Sequence, residues 1–145
     1  MGKTSSLFWI ATGVSGLFAT FNFANAFFIA YFPLFLKDIN FTPVQIALVI
    51  ALPNIVRIFA TPVMTSISDR SGRRRHSMAL FSIIALASFW VLVYSSEYWT
   101  VIGLVVFLSI FYVPIQPLQD AYAYETDHTL GLNYGRMRSW GSISF

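Results

Sequence analysis

Apolar residues run through this chain in long blocks from which charge is excluded. No Asp, Glu, Lys or Arg occurs in Leu7–Leu36, Ile39–Val56, Ile58–Ser68, Ser77–Ser96 or Tyr98–Gln119, and a single charge, Arg57, divides the second block from the third. Joined across Arg57, these blocks make four stretches. Each is long enough to cross a bilayer, because roughly 20 helical residues span the ~30 Å hydrocarbon core. Backbone N–H and C=O groups find no water there, so a spanning segment must satisfy them internally, and runs of this length do so as helices. The ten-residue alternation of a transmembrane β-barrel is absent from the pattern. The expected fold class is an all-α membrane protein. Its helices are expected at about 7–36, 44–68, 77–95 and 100–124, with a fifth opening at about 135 and running to 145.

Local residues refine these boundaries. The first helix exceeds what a bilayer needs, so it must tilt or protrude at its Pro33 end. Thr42-Pro43 reads as an N-cap followed by proline at the first helical position of the second helix. Pro53, Pro62, Pro114 and Pro117 each remove a backbone donor and are expected to kink their helices. Lys3, the apolar run Leu7–Phe21 and Ala24-Asn25-Ala26 imitate a signal peptide with its cleavage site. Phe27–Leu36 continues the apolar run, so an uncleaved span is expected. Phe145 falls only a few residues into the fifth helix, and the chain is therefore expected to be the N-terminal part of a longer polypeptide, the alternative being a naturally truncated product.

Charge sets the orientation. Lys3, Arg70, Arg73, Arg74, Arg75, Arg136 and Arg138 fall on one side of the predicted spans and Lys37 alone on the other. Positive loops stay in the cytoplasm, which places the N-terminus and the Arg-rich loop there, in a cell (inner) membrane. The net charge of +3 follows from these short loops, so no nucleic-acid partner is expected. Composition agrees: 57% of residues are hydrophobic and 10% charged, against about 25% charged in soluble domains. Cysteine is absent, which excludes disulfides and thiolate chemistry. His76 and His128 have no Cys or carboxylate at metal-ligand spacing, so neither metal nor cofactor is expected.

Three motifs carry a resemblance. Asp69-Arg-Ser-Gly-Arg-Arg-Arg75 joins the second and third spans through a short basic turn in which Gly72 supplies the reversal. In sequence and place it resembles the signature loop of the major facilitator superfamily, with Thr65 standing where that family usually has Gly. Tyr31-Phe-Pro-Leu-Phe-Leu-Lys-Asp-Ile-Asn40 resembles the end of the first helix in lactose-permease-like carriers. Tyr134-Gly-Arg-Met-Arg-Ser-Trp-Gly-Ser-Ile-Ser-Phe145 resembles a segment of the phenylpropionate-permease group, with Ser144 replacing the usual Gly. The resemblance implies the N-terminal half of a major facilitator fold. It also implies a gating loop in which Asp69, Arg70, Gly72 and Arg73 latch the cytoplasmic side. Asp120 and Arg138, eighteen residues apart, match an acid and an arginine that contact the solute in lactose permease, with Asp in place of Glu.

Polar residues inside the spans add candidates, because a charge at the bilayer centre costs about 2.5–3.5 kcal/mol on insertion scales. Arg57 lies midway along the second helix and shares a face with Asn54, Thr61, Thr65 and Ser68 at helical spacings. It either contacts an anion or hydroxyl of a solute, or snorkels or pairs with a helix carbonyl. Asn22 and Asn25, one turn apart, line a solute path or bond neighbouring helices. Gln116, with Gln119, lies one turn from Asp120, while Tyr122 and Tyr124 read as interfacial anchors. Asp120 and Arg138 themselves are either solute ligands or a structural bridge. No phosphate-binding loop or catalytic constellation occurs, so an ATP-driven pump and an enzyme are not expected. The expectation is a secondary carrier of a small organic solute, a sugar, an aromatic acid or a nucleoside, coupled to H+, that rocks about a midplane site with the missing C-terminal half of the same polypeptide. The competing class is a non-transporting helical membrane protein, receptor-like or an assembly factor.

Overall fold

A computed structural model describes residues 2–130 and 134–144, without the side chains at 2–8, 10, 11, 136 and 144. Phe145, and the Lys3 and Arg136 side chains that enter the charge count, lie outside the described residues. All six described elements are α-helices: α1 (Gly2–Asp38), α2 (Pro43–Ser71), α3 (Arg74–Val93), α4 (Tyr98–Tyr112), α5 (Ile115–Leu130) and α6 (Tyr134–Ser144). The fold is all-α. Among the described residues, four candidate spans, Thr12–Asp38, Pro43–Ser71, Arg74–Val93 and Tyr98–Leu130, are long and apolar enough to cross a membrane.

The start and end of α2 follow from local chemistry. Thr42 accepts a hydrogen bond from the Gln45 N–H through its side chain, and its own N–H donates to Gln45 Oε1 at 2.9 Å. This reciprocal cap satisfies two of the donors that a helix start leaves open. Gly72 ends the helix with φ 63°, its N–H donating to the Asp69 carbonyl at 3.1 Å. A left-handed residue stops the helical ladder, and only glycine takes that conformation without strain. Asp69 and Arg70 are thus the last turn of α2, and His76 is already within α3.

The fourth span, expected as one helix, is interrupted between Tyr112 and Ile115. Pro114 cannot donate to the carbonyl of Ile110, and Pro117 cannot donate to that of Val113. Two lost bonds so close together open the ladder, while Val113 N–H to Ser109 O and Leu118 N–H to Pro114 O, at 3.1 and 3.2 Å, resume it on either side.

The described residues divide into two compact units. One, residues 33–118, packs α4 against both α2 and α3. Phe81 meets Phe111 edge to face at 5.9 Å, Phe41 meets Tyr98 in the same way at 5.5 Å, and Val49, Val101 and Val105 are buried. Ile58, Phe59, Ile83 and Trp90 of this unit are all exposed. So much apolar surface is unfavourable in water and costs nothing in hydrocarbon. The other unit joins the described residues of 1–32 to those of 119–145, where Val14 and Phe18 of α1, Ala123 of α5 and Met137 of α6 form a small core covered by Tyr122 and Tyr134.

Candidate functional site

In the unit containing α6, a charged cluster forms beside that core. Asp120 on α5 and Arg138 on α6 stand with Arg138 Nε 4.0 Å from Asp120 Oδ1, the outer limit of an ion pair. Tyr134 lies between them: its hydroxyl donates to Asp120 Oδ1 at 3.0 Å and accepts from Arg138 Nη1 at 3.1 Å. The Arg138 guanidinium also sits 5.9 Å from the Tyr134 ring centroid, one helical turn along α6. The side chains of Asp120 and Arg138 are 31% and 56% exposed, so both charges keep unspent hydrogen-bonding capacity.

Asn22 belongs to the same unit, half-buried, with Nδ2 donating to the Phe18 carbonyl at 2.9 Å. It packs against Gly141 of α6, where a Cβ would lie 2.7 Å from Asn22 Nδ2. Asn25 is one turn further along α1 and also half-buried. Gln119 is buried; its Nε2 donates to the Leu17 carbonyl at 3.3 Å, and its Oε1 has no hydrogen-bond partner. No hydrogen bond joins Asn22 to Asp120 or Arg138 among the described residues.

In the other unit, Arg57 Nη2 donates to Gln116 Oε1 at 3.2 Å, tying α2 to α5. The mid-span arginine therefore meets a side-chain amide on another helix instead of a carbonyl of its own. Along its face, Thr65 Oγ1 donates to the Thr61 carbonyl at 2.8 Å, while Thr61 Oγ1 and Ser68 Oγ are buried without partners.

At the α2–α3 turn, Asp69 Oδ1 accepts from Arg74 Nε at 2.8 Å. Arg70 and Arg73 are exposed. Arg73 N–H donates to Ser71 Oγ at 3.3 Å, and Ser71 Oγ donates to the Ser68 carbonyl at 2.7 Å, so hydroxyls brace the turn that Gly72 makes. The partner of Asp69 is thus the first residue of α3, which sequence spacing did not single out. Tyr134 was likewise overlooked, although its separation of four from Arg138 is a helical signal once α6 starts at Tyr134.

The profile of the MFS_1 like family matches residues 15–145. The chain belongs to this family of the major facilitator superfamily. Among curated relatives, the probable 3-phenylpropionic acid transporter of Escherichia coli (strain K12) is 27% identical over 140 residues, covering 94% of this chain and 35% of that protein. The maltose permease of Geobacillus stearothermophilus is 31% identical over 143 residues, covering 94% of this chain and 36% of that protein. The chain therefore spans about a third of the length of the curated relatives it matches. No solved structure matches it. Family membership together with four apolar helices makes this a multi-pass membrane protein.

Proposed function

We propose that this chain is the N-terminal part of a secondary carrier that moves a small organic solute across the membrane, coupled to H+, by alternating access. Asp120 and Arg138 serve as solute ligands. The observation that carries this reading is the Asp120–Tyr134–Arg138 cluster: an acceptor and a planar cationic donor at adjacent helices, neither fully engaged, in a chain of the MFS_1 like family. A carboxylate and a guanidinium at this spacing can together hold a hydroxyl, and the guanidinium alone can fork onto a carboxylate. The names of the relatives suggest the two solutes to try first, maltose for the former chemistry and 3-phenylpropionate for the latter. Asn22 and Asn25 in the unit of this cluster, and Arg57 and Gln116 within the other unit, are further candidate solute ligands. The turn at Asp69, Arg70, Gly72 and Arg73 is the gating loop, and in this structure its carboxylate is paired with Arg74.

The test is a double-mutant cycle in the full-length protein. Labelled maltose and 3-phenylpropionate are offered to cells lacking their own carriers, and uptake and expression are measured for Asp120→Asn, Arg138→Gln and the double variant. Solute ligation predicts that each single change lowers uptake at least about a hundredfold, the loss expected when a charge-assisted contact goes and its partner is left unpaired. The double variant does not recover. Near-normal uptake by the double variant would make the pair a structural bridge. The absence of any solute movement by the unaltered protein would favour a non-transporting membrane protein.

A further inference from the structure

The Asp120–Arg138 pair has a geometry that a free ion pair would not choose. Guanidinium and carboxylate groups in reach of one another prefer parallel, bidentate contacts at about 2.7–2.9 Å. Here the one direct approach is 4.0 Å, and the Tyr134 hydroxyl fills the gap with a bond to each side. A phenol can do this because it donates one proton and accepts on its lone pairs. Its ring is fixed from behind by the Val14, Phe18, Ala123 and Met137 core, and on its face by the Arg138 guanidinium four residues on.

We infer that Tyr134 is a positioning residue: its hydroxyl wedges Asp120 and Arg138 apart and keeps the pair from closing into a bidentate salt bridge. This rests on the reading of the pair as solute ligands, and it adds the reason why both groups stay available to a solute. A closed bridge would use two guanidinium donors and both carboxylate oxygens, and a solute would have to break it before binding. The wedge uses one donor of Arg138 and one oxygen of Asp120. The remaining donors and lone pairs stay free for a solute group that takes the place of, or binds beside, the phenol.

The wedge makes a prediction that a simple tether does not. Tyr134→Phe keeps the ring, its packing and its cation–π contact and deletes the hydroxyl alone. If the hydroxyl is a wedge, Arg138 closes onto Asp120 and becomes less reactive. If it merely holds Arg138 in place, the guanidinium is released and becomes more reactive. The readout is the rate at which phenylglyoxal modifies Arg138 in the detergent-solubilised full-length protein, followed by mass spectrometry of the peptide that carries it. Arg138 is 56% exposed, so the reagent can reach it. The expected result is modification about two- to fivefold slower in Tyr134→Phe, as befits a partly exposed ion pair gained. The wild-type rate returns in Tyr134→Phe with Asp120→Asn, where no carboxylate remains to close upon. An unchanged or faster rate in Tyr134→Phe overturns the inference, as does slowing that persists without Asp120. No solute enters this measurement, so it fails or succeeds independently of the transport reading. Where uptake is observed, the wedge further predicts a raised KM with kcat nearly unchanged for Tyr134→Phe.

Discussion

Arg57 gives the clearest account of what a single polar residue does in this chain. Its place halfway along a charge-free stretch is legible in sequence, because a mid-span charge is costly and must be compensated. Its partner is not legible, since Gln116 lies 59 positions away and the contact depends on how α2 and α5 come together. A hydrogen bond between side chains of two membrane helices is worth only about 0.6 kcal/mol on average, because the separated groups also find partners. We expect a coupling of about 0.5–1 kcal/mol between Arg57→Gln and Gln116→Leu. Thermal unfolding of the four members of that cycle in detergent measures it, and strictly additive shifts would show that the 3.2 Å contact contributes nothing. Tyr134 and Arg74 escaped the sequence reading for related reasons. Starting the last helix at residue 135 leaves Tyr134 off it and hides the separation of four from Arg138. The reversal at Gly72 turns the chain so that Arg74, five positions on, returns to Asp69.

Helices as elements were easier to see than their breaks and contacts. Charge-free runs mark the spans because any charge in hydrocarbon costs several kcal/mol, and the Thr42-Pro43 start of α2 is a local signal with a local cause. The interruption at residues 113–114 was hidden because the apolar pattern continues through it; the two prolines announced lost donors but not where the ladder opens. Close helix contacts are equally silent in sequence. Gly141 lets α6 approach α1 until a Cβ would lie 2.7 Å from Asn22 Nδ2 and 3.4 Å from Phe18 Cβ. Gly141→Ala must therefore push aside an amide that is bonded to the Phe18 carbonyl. We expect a loss of about 1 kcal/mol, the order of one hydrogen bond, and almost none when Asn22 is already alanine. The melting temperatures of the full-length protein carrying Gly141→Ala, Asn22→Ala and both decide this. Equal losses in the two backgrounds would mean that the Asn22 amide is not what Gly141 accommodates.

At the scale of the molecule, family membership follows from residues 15–145, while the relatives are about three times longer than this chain. A carrier that alternates access builds its solute site between repeats, so one part of the fold supplies one wall of the site. On the proposed reading, exposed apolar residues on α2 and α3 have two destinations, lipid and the other wall of the carrier. Coupling to a gradient, proposed above for the assembled carrier, is the claim on which the account depends. The most direct measurement reconstitutes the full-length protein in liposomes under an imposed inward H+ gradient and follows labelled maltose and 3-phenylpropionate inside. Residues 1–145 alone and protein-free liposomes serve as controls. The account predicts that the full-length protein accumulates one of these solutes above its external concentration, that a protonophore abolishes the excess, and that residues 1–145 alone accumulate none. Accumulation of neither solute by folded, correctly inserted full-length protein, or gradient-driven uptake by residues 1–145 alone, would contradict it.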